Sequence, residues 1–378
     1  MNCNICSTSM RMVYTSPKDK SLTSLGKIIS QSFTSWVCEE CGHVKKSTID
    51  NEQEYYAKNY NLLIESEDED QICVGADGEK YYRLDYQAKL VKDFVDIKNH
   101  QKVLDYGSAK AMTLKKVFDS NKTIIPYCYD VGESYQTYWG FLPKENTSVG
   151  NSVPIEWYNK MDHIVSFFCL EHIEELMKSV AEIANCLKLG GTFFTILPNA
   201  LSNVADFIVV DHTNHFFESS IRYMLSKVGL KLDLISSSDY AGAWIVKATK
   251  VSSEPIALPM SFSFDHLYQV EKAFSYWNSI GKKIGEIEAI IKDKPYAIYG
   301  AGFYGTYLFS HMHIKPVQFL DQNHFLHGKK VLNTLVTAPD DCPIYIKDIV
   351  VGLNPEIAPQ VIKGVMCFND KKINFHFI

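Results

Sequence analysis

Four cysteines near the N-terminus have spacing that suits a metal. Cys3 and Cys6 form one C-x2-C pair, and Cys38 and Cys41 form a second. Ten cysteines spread at random over a chain of this length would give only about 0.3 such pairs, so two within the first 41 residues are a signal. Two-residue spacing lets both thiolates of a knuckle reach one tetrahedral zinc ion at ~2.3 Å. Four thiolates close the coordination shell, which means structural rather than catalytic zinc. Reduced surface thiols and a redox pair are the alternatives. The 31 residues between Cys6 and Cys38 exceed the roughly 15–20 of an ordinary zinc ribbon. Doubling a loop costs only ~0.6 kcal/mol, so the gap does not exclude the site. Gly42 suits the tight turn after Cys41. Cys73, Cys128, Cys169, Cys186, Cys342 and Cys367 lack such spacing and read as packing residues.

Two further constellations suit nucleotide-type ligands. Val103-Leu104-Asp105-Tyr106-Gly107-Ser108 reads as a strand entering a turn, and Tyr127-Cys128-Tyr129-Asp130 as the next strand ending in an acid. In α/β sheets ligands lie beyond the carboxyl ends of the strands. There Gly107 admits a close backbone approach, and Asp130 could hold two ribose hydroxyls. The second constellation is Gly300-Ala301-Gly302-Phe303-Tyr304-Gly305, a full G-x-G-x-x-G, with Asp321 following 21 residues after Gly300. By pattern alone this fits dinucleotide binding. Amide groups at Gly302–Gly305 would suit a diphosphate. About 85 residues follow Pro295, room for one half of a dinucleotide fold rather than two. A purely structural domain therefore stands beside an NAD site.

The elements that must position these residues follow from patterning. The chain has 378 residues, a prior of two to three domains, and its 46% hydrophobic content gives each a core. A net charge of −6 argues against a nucleic-acid binder. No apolar run approaches the ~20 residues of a membrane span. The opening Met-Asn-Cys-Asn-Ile-Cys has neither basic nor apolar leader character, so a cytoplasmic protein with reduced thiols is expected. Glu65–Asp70 reads as a solvated acidic loop. Helices are expected at Asp85–Asn99, Met112–Phe118, Leu176–Leu187, Ser219–Val228 and Asp265–Asp293. Strands are expected at Val103–Tyr106, Thr123–Tyr129, His163–Phe168, Thr192–Leu197, Lys231–Ser236, Ala243–Thr249 and Lys294–Tyr299. Val251–Pro259 reads as a linker. Such alternation predicts a doubly wound α/β sheet. The expected division is a zinc-binding domain at 1–50, a connecting helical segment at 51–98, a central domain at 99–250 and a smaller C-terminal Rossmann-like α/β domain at 251–378.

The segment Met161–Asn199, from "LEHI" through "LKLGG" to "LPN", resembles the class I S-adenosylmethionine-dependent methyltransferases. That resemblance implies a Rossmann-like methyltransferase sheet. It also implies a cofactor held by Asp105, Gly107, Ser108 and Asp130, with Phe168 and Glu171 shaping its pocket; for Glu171 and His172 a helix-start capping role is the alternative. The family's D-x-G-x-G-x-G becomes Asp105-x-Gly107-x-Ala109-x-Ala111 here. Alanine resists φ > 0, so cofactor binding is expected to be retained with a changed turn or weakened, a non-binding Rossmann-like domain being the alternative.

The order of knuckle, methyltransferase domain and C-terminal nucleotide-type fold resembles the sugar C-methyltransferases, including "CEECGHV" and "YYRLDYQAKLVKDF". In that family the segment after the "PN" strand carries catalysis; here it is DFIVVDHTNHFF, Asp206–Phe217. Carried over, His212 is the base and Asp211 its support. The resemblance implies that Tyr82, Asn199, His215, Gly302 and Tyr304 face a sugar, a nucleotide-linked one, from deoxysugar or surface-polysaccharide synthesis; for Tyr82 an exposed or core tyrosine is the alternative. Val209 and Val210 stand where the family has tyrosine and histidine, which leaves C- and O-methylation both open. A loop histidine capping the next helix, or a metal site from Asp211, His212 and His215, are the other readings of this segment. An NAD-dependent enzyme and a non-catalytic zinc-bearing interaction protein are the rival functions.

Overall fold

The structure, a computed structural model, describes residues 1–17, 20–60, 70–258, 264–368 and 372–378. The expected acidic loop lies outside the described residues except for Asp70, as does Pro259 of the linker. Two compact units make up the chain, and neither is contiguous. The first comprises Met1–Val13, Thr34–Ser202 and Asp211–Leu267; the second comprises Tyr14–Phe33, Asn203–Val210 and Tyr268–Ile378.

The first unit is built on a seven-stranded sheet. Its strands are β1 (Lys102–Tyr106), β2 (Ile125–Asp130), β3 (Thr147–Val149), β4 (Met161–Phe167), β5 (Leu187–Pro198), β6 (Leu230–Ser236) and β7 (Ala243–Lys250). They lie in the order β3-β2-β1-β4-β5-β7-β6. The first five are parallel, whereas β7 runs antiparallel to both β5 and β6. Period-two alternation sends Leu104, Ile164 and Phe193 to one face and Val103, Val165 and Phe194 to the other. Both faces are therefore covered. Helices α1 (Arg83–Phe94) and α2 (Met112–Ser120) bury Leu90, Val91, Leu114 and Val117 on the Val103 face. Helices α3 (Leu176–Cys186) and α4 (Glu218–Ser226) bury Val180, Ile183, Ile221 and Leu225 on the other face. The cysteine knuckles pack on that same face through Cys3, Ile5 and Met10. There Val44 pairs with Val37 of Thr34–Val37 on one side and with His215 on the other.

The second unit centres on α5 (Phe264–Ile291) and a six-stranded sheet of β8 (Tyr296–Tyr299), β9 (Gln318–Leu320), β10 (Lys330–Val331), β11 (Thr334–Thr337), β12 (Asp348–Val351) and β13 (Asn374–Phe377). The order is β10-β11-β9-β8-β12-β13, parallel except for the β10 edge. The G-x-G-x-x-G turn joins β8 to α6 (Phe303–His311). Two of its glycines, Gly300 and Gly305, are required for packing. A Cβ on Gly305 would meet the Gly300 carbonyl at 1.8 Å, and one on Gly352 would meet Gly305 Cα at 2.5 Å. Tyr14–Phe33 belongs here because Tyr14 stacks on Phe274 at 5.4 Å, and Asn203–Val210 because Phe207 meets the same ring at 5.0 Å. The long gap between the cysteine pairs is thereby explained: Tyr14–Phe33 is an arm of the other unit.

No helix among the described residues is long and apolar enough to cross a membrane.

Candidate functional site

The four N-terminal thiols converge. Their sulfurs all lie within 4.8 Å of one another, with Cys3 to Cys41 at 3.6 Å and Cys6 to Cys38 at 3.4 Å. Thiolates ~2.3 Å from one tetrahedral ion stand about 3.8 Å apart, so the set fits zinc. Both knuckles are built alike. Ser7 and Gly42 each take left-handed φ, at 64° and 79°. The Ser7 amide donates to the Cys3 carbonyl, as the Gly42 amide donates to the Cys38 carbonyl, each at 2.9 Å. The other six cysteines are free thiols, with Cys128 and Cys186 fully buried.

The β1 turn opens into a cleft lined among others by Asp70, Arg83, Gln87, Asp105, Ser108, Lys110 and Phe167. The turn keeps a glycine-type backbone despite its alanines. Gly107, Ala109 and Ala111 have φ of 74°, 44° and 55°. Alanine thus adopts the conformation it resists, at about 1–2 kcal/mol per residue. The expected change of turn does not occur. Gly107 admits no side chain, because a Cβ there would lie 2.2 Å from Cys169 Sγ. Asp130 locks the turn: its carboxylate accepts the Ala109 amide at 2.7 Å and the Gly132 amide at 2.8 Å. Burial raises its pKa, opposed by those amides. Burial, and secondarily the Asp130 charge, pushes Asp105 up to about 8. Among the described residues no donor reaches Asp105 Oδ1 or Ser108 Oγ, although both are buried. Buried polar atoms of this kind want a ligand. A cofactor presenting an ammonium group and hydroxyls fits them.

Phe168 follows β4 with φ of 51° and lies under the Arg83 guanidinium, 4.1 Å from its carbon. Strained backbone of this sort clusters at functional sites. Cys169 then reaches Gly107, and the next residues bring Glu171 and His172 to His212. Donor atoms of Glu171, His172 and His212 lie within 4.8 Å of one another. The two imidazoles stand 4.7 Å apart and perpendicular. His172 Nδ1 lies 2.9 Å from the Asp211 carbonyl and 3.1 Å from the Tyr56 hydroxyl. A carbonyl only accepts, so Nδ1 carries the proton and Nε2 the lone pair. The Asp211 side chain accepts from the Tyr55 hydroxyl at 3.4 Å.

The remaining expected residues are placed as follows. His215 is 1% exposed in the strand pair with Val44; among the described residues the donor atoms that converge with His212 are those of Glu171 and His172, not those of Asp211 and His215. Asn199 accepts the Leu201 amide at 3.2 Å in the turn after β5. Tyr82 is 41% exposed at the start of α1. In the second unit Tyr304 is buried, stacks on Trp277 at 5.9 Å and donates to Asn203 at 3.3 Å. Gly302 faces open space. Asp321 accepts the Ala301 amide at 2.7 Å and the Asn323 amide at 2.8 Å, the lock seen at Asp130. Val209 and Val210 are buried, the latter donating its amide to the Leu22 carbonyl at 2.9 Å.

Sequence reasoning missed Arg83 and Gln87, whose i, i+4 spacing puts them on one face of α1. It also missed Tyr55, Tyr56 and Tyr60, three tyrosines in six residues. Tyr56 and Tyr60 pack on His172 at 5.5 and 5.3 Å.

Residues 147–195 match the family model of a methyltransferase domain. No curated protein matches the chain. Among solved structures, the complex between the Haloferax volcanii Trm112 methyltransferase activator and a methyltransferase is similar at 18% identity and a TM-score of 0.39, covering 45% of this chain and 91% of that one. A methyltransferase from Aquifex aeolicus is similar at 20% identity and 0.37, covering 44% and 89%. The geranyl diphosphate C-methyltransferase of Streptomyces coelicolor A3(2) is similar at 12% identity and 0.42, covering 54% and 100%. At such identities the chemistry of those proteins does not transfer. The matched segment runs from β3 into β5, so this part of the seven-stranded sheet is similar to a methyltransferase domain.

Proposed function

We propose that the protein methylates a sugar, nucleotide-linked, in deoxysugar or surface-polysaccharide synthesis, using S-adenosylmethionine. The observation that carries this reading is the meeting of His172 and His212 next to the residues that reach Gly107. The cofactor supplies an electrophilic methyl group when bound. The chain's own residues do the rest. The Gly107–Ala111 turn offers backbone to the cofactor, Asp105 and Ser108 offer their open polar atoms, and Asp130 holds the turn in shape. Phe168, under Arg83, and buried Glu171 border this region. An acceptor hydroxyl, or a carbon beside a carbonyl, must lose a proton, and imidazole suits that near neutral pH. His212 takes the proton. Asp211 contributes its carbonyl, which orients the neighbouring His172.

Thermal melts test the cofactor. A ligand at 100 times its Kd adds about 2.7 kcal/mol, so S-adenosylhomocysteine should raise the Tm and NAD should not. A shift with NAD alone would overturn the reading. His212→Ala should lower methyl transfer to a panel of nucleotide sugars by about 10²–10⁴-fold and leave cofactor affinity unchanged.

A further inference from the structure

We propose that Glu171, His172 and His212 hold a divalent first-row transition-metal ion that binds the acceptor's oxygen. This rests on the methyl-transfer reading of the same site and names the acceptor class. Three observations converge. First, one carboxylate and two imidazoles from two separate segments place their donor atoms within 4.8 Å of one another. Donors around an ion at ~2.1 Å stand about 3.0–3.4 Å apart, so small side-chain shifts close the set. Second, the imidazole arrangement suits two adjacent ligands. An imidazole bound at ~2.1 Å has its ring centre about 3.2 Å from the ion, so two whose bonds to the ion meet at a right angle have centres about 4.6 Å apart. The ring centres of His172 and His212 are 4.7 Å apart. Third, the supporting hydrogen bonds are those a ligand histidine needs. The Asp211 carbonyl holds His172 Nδ1–H, which fixes the tautomer with Nε2 as donor, and the Tyr56 hydroxyl donates to that same carbonyl at 2.8 Å. Glu171 is 1% exposed, and a buried carboxylate beside two imidazoles is stabilised by a cation.

Two histidines and one carboxylate leave coordination positions open. Two adjacent open positions fit the paired oxygens of a vicinal diol or of an α-hydroxy ketone, both common in sugars. Coordination acidifies a bound hydroxyl, as a metal lowers bound water from 15.7 to about 7. The O–H bond breaks, the proton leaves to solvent, and the electron pair stays on the metal-bound oxygen. Without the ion His212 is the base; with it bound, His212 serves as a ligand and the acidified hydroxyl releases its proton without a side-chain base.

The test is equilibrium dialysis of the zinc-loaded protein against cobalt(II). The wild type should bind one cobalt per chain beyond the thiolate zinc, with visible bands and no thiolate charge-transfer band. His172→Ala and His212→Ala should each abolish that binding. Tyr56→Phe should weaken it about 10–100-fold. Calorimetry with S-adenosylhomocysteine shows whether each variant is folded. No cobalt above the zinc, cobalt that survives both alanine substitutions, or cobalt with a thiolate signature would overturn the proposal. Loss of S-adenosylhomocysteine binding in the wild type would instead sink the methyl-transfer reading and leave the cobalt count standing.

Discussion

Asp105 ties the stability of the first unit to pH and, on the proposed reading, cofactor binding as well. Its carboxyl is 2% exposed, and burial holds its pKa near 8 against a usual value near 4. An acid with a raised folded pKa stays protonated in the fold while the unfolded chain ionises. Stability is therefore lost as pH rises from about 4 to 8. Asp105→Asn should remove this loss, so the variant should gain Tm over the wild type at pH 8 and not at pH 4. A cationic group of the cofactor favours the ionised form. Affinity for S-adenosylhomocysteine should then rise with pH up to about 8 in the wild type and stay flat in Asp105→Asn. Equal pH profiles for the two proteins would show that this carboxyl does not meet the cofactor.

The turn after β1 shows what an element can impose on its residues. Gly107 was legible as a close-approach glycine, but its partner proves to be Cys169, 62 residues away in sequence. Gly107→Ala combines that overlap with φ of 74° and should cost roughly 2–4 kcal/mol, read by denaturant unfolding. Ala111→Gly should cost far less: relief of left-handed alanine, about 1–2 kcal/mol, offsets the added unfolded-state entropy of about 0.5–1 kcal/mol and the lost buried methyl of about 0.8 kcal/mol, so the midpoint should stay nearly unchanged. The cysteine knuckles are a second element. If they hold one structural zinc, metal analysis should give one zinc per chain from the four thiols. Cys38→Ser should then lose it together with much of the stability of the first unit, because binding energy here is folding energy. A metal-free wild type with an unchanged Tm would refute this.

At the scale of the whole chain, the two compact units are interleaved. Tyr14–Phe33 and Asn203–Val210 interrupt the first unit, yet they pack with Phe274 and Trp277 of α5. A chain ending at Leu267 should therefore not behave as a clean methyltransferase domain. It would leave Tyr14, Phe33, Phe207 and Ile208, all buried in the full protein, without α5 beyond its first turn. Dye binding to exposed apolar surface should rise and soluble yield should fall relative to the full chain. Equal yield and no dye binding would show that the two arms fold without α5.

Much of this protein is determined locally and was legible in the sequence. Alternating apolar residues place β1, β2, β4, β5 and β7 within a few residues of where they lie, because period-two burial acts on each strand alone. The cysteine pairs were legible because both ligands of a knuckle sit within four residues. Three features were decided only by tertiary structure. Left-handed Ala109 and Ala111 run against local preference, and the Asp130 carboxylate, 21 residues beyond Ala109, holds the turn there. The partner of His212 was expected to be Asp211, its chain neighbour, yet the ring beside it is His172, 40 residues earlier, carried there by the end of β4. The arms Tyr14–Phe33 and Asn203–Val210 join the second unit because Tyr14 and Phe207 bury their rings on Phe274 and the Val204 carbonyl accepts from Trp277, both on one long helix. Local patterning determines strands and knuckles, whereas groups that meet across tens of residues meet only because the sheet order brings their ends together.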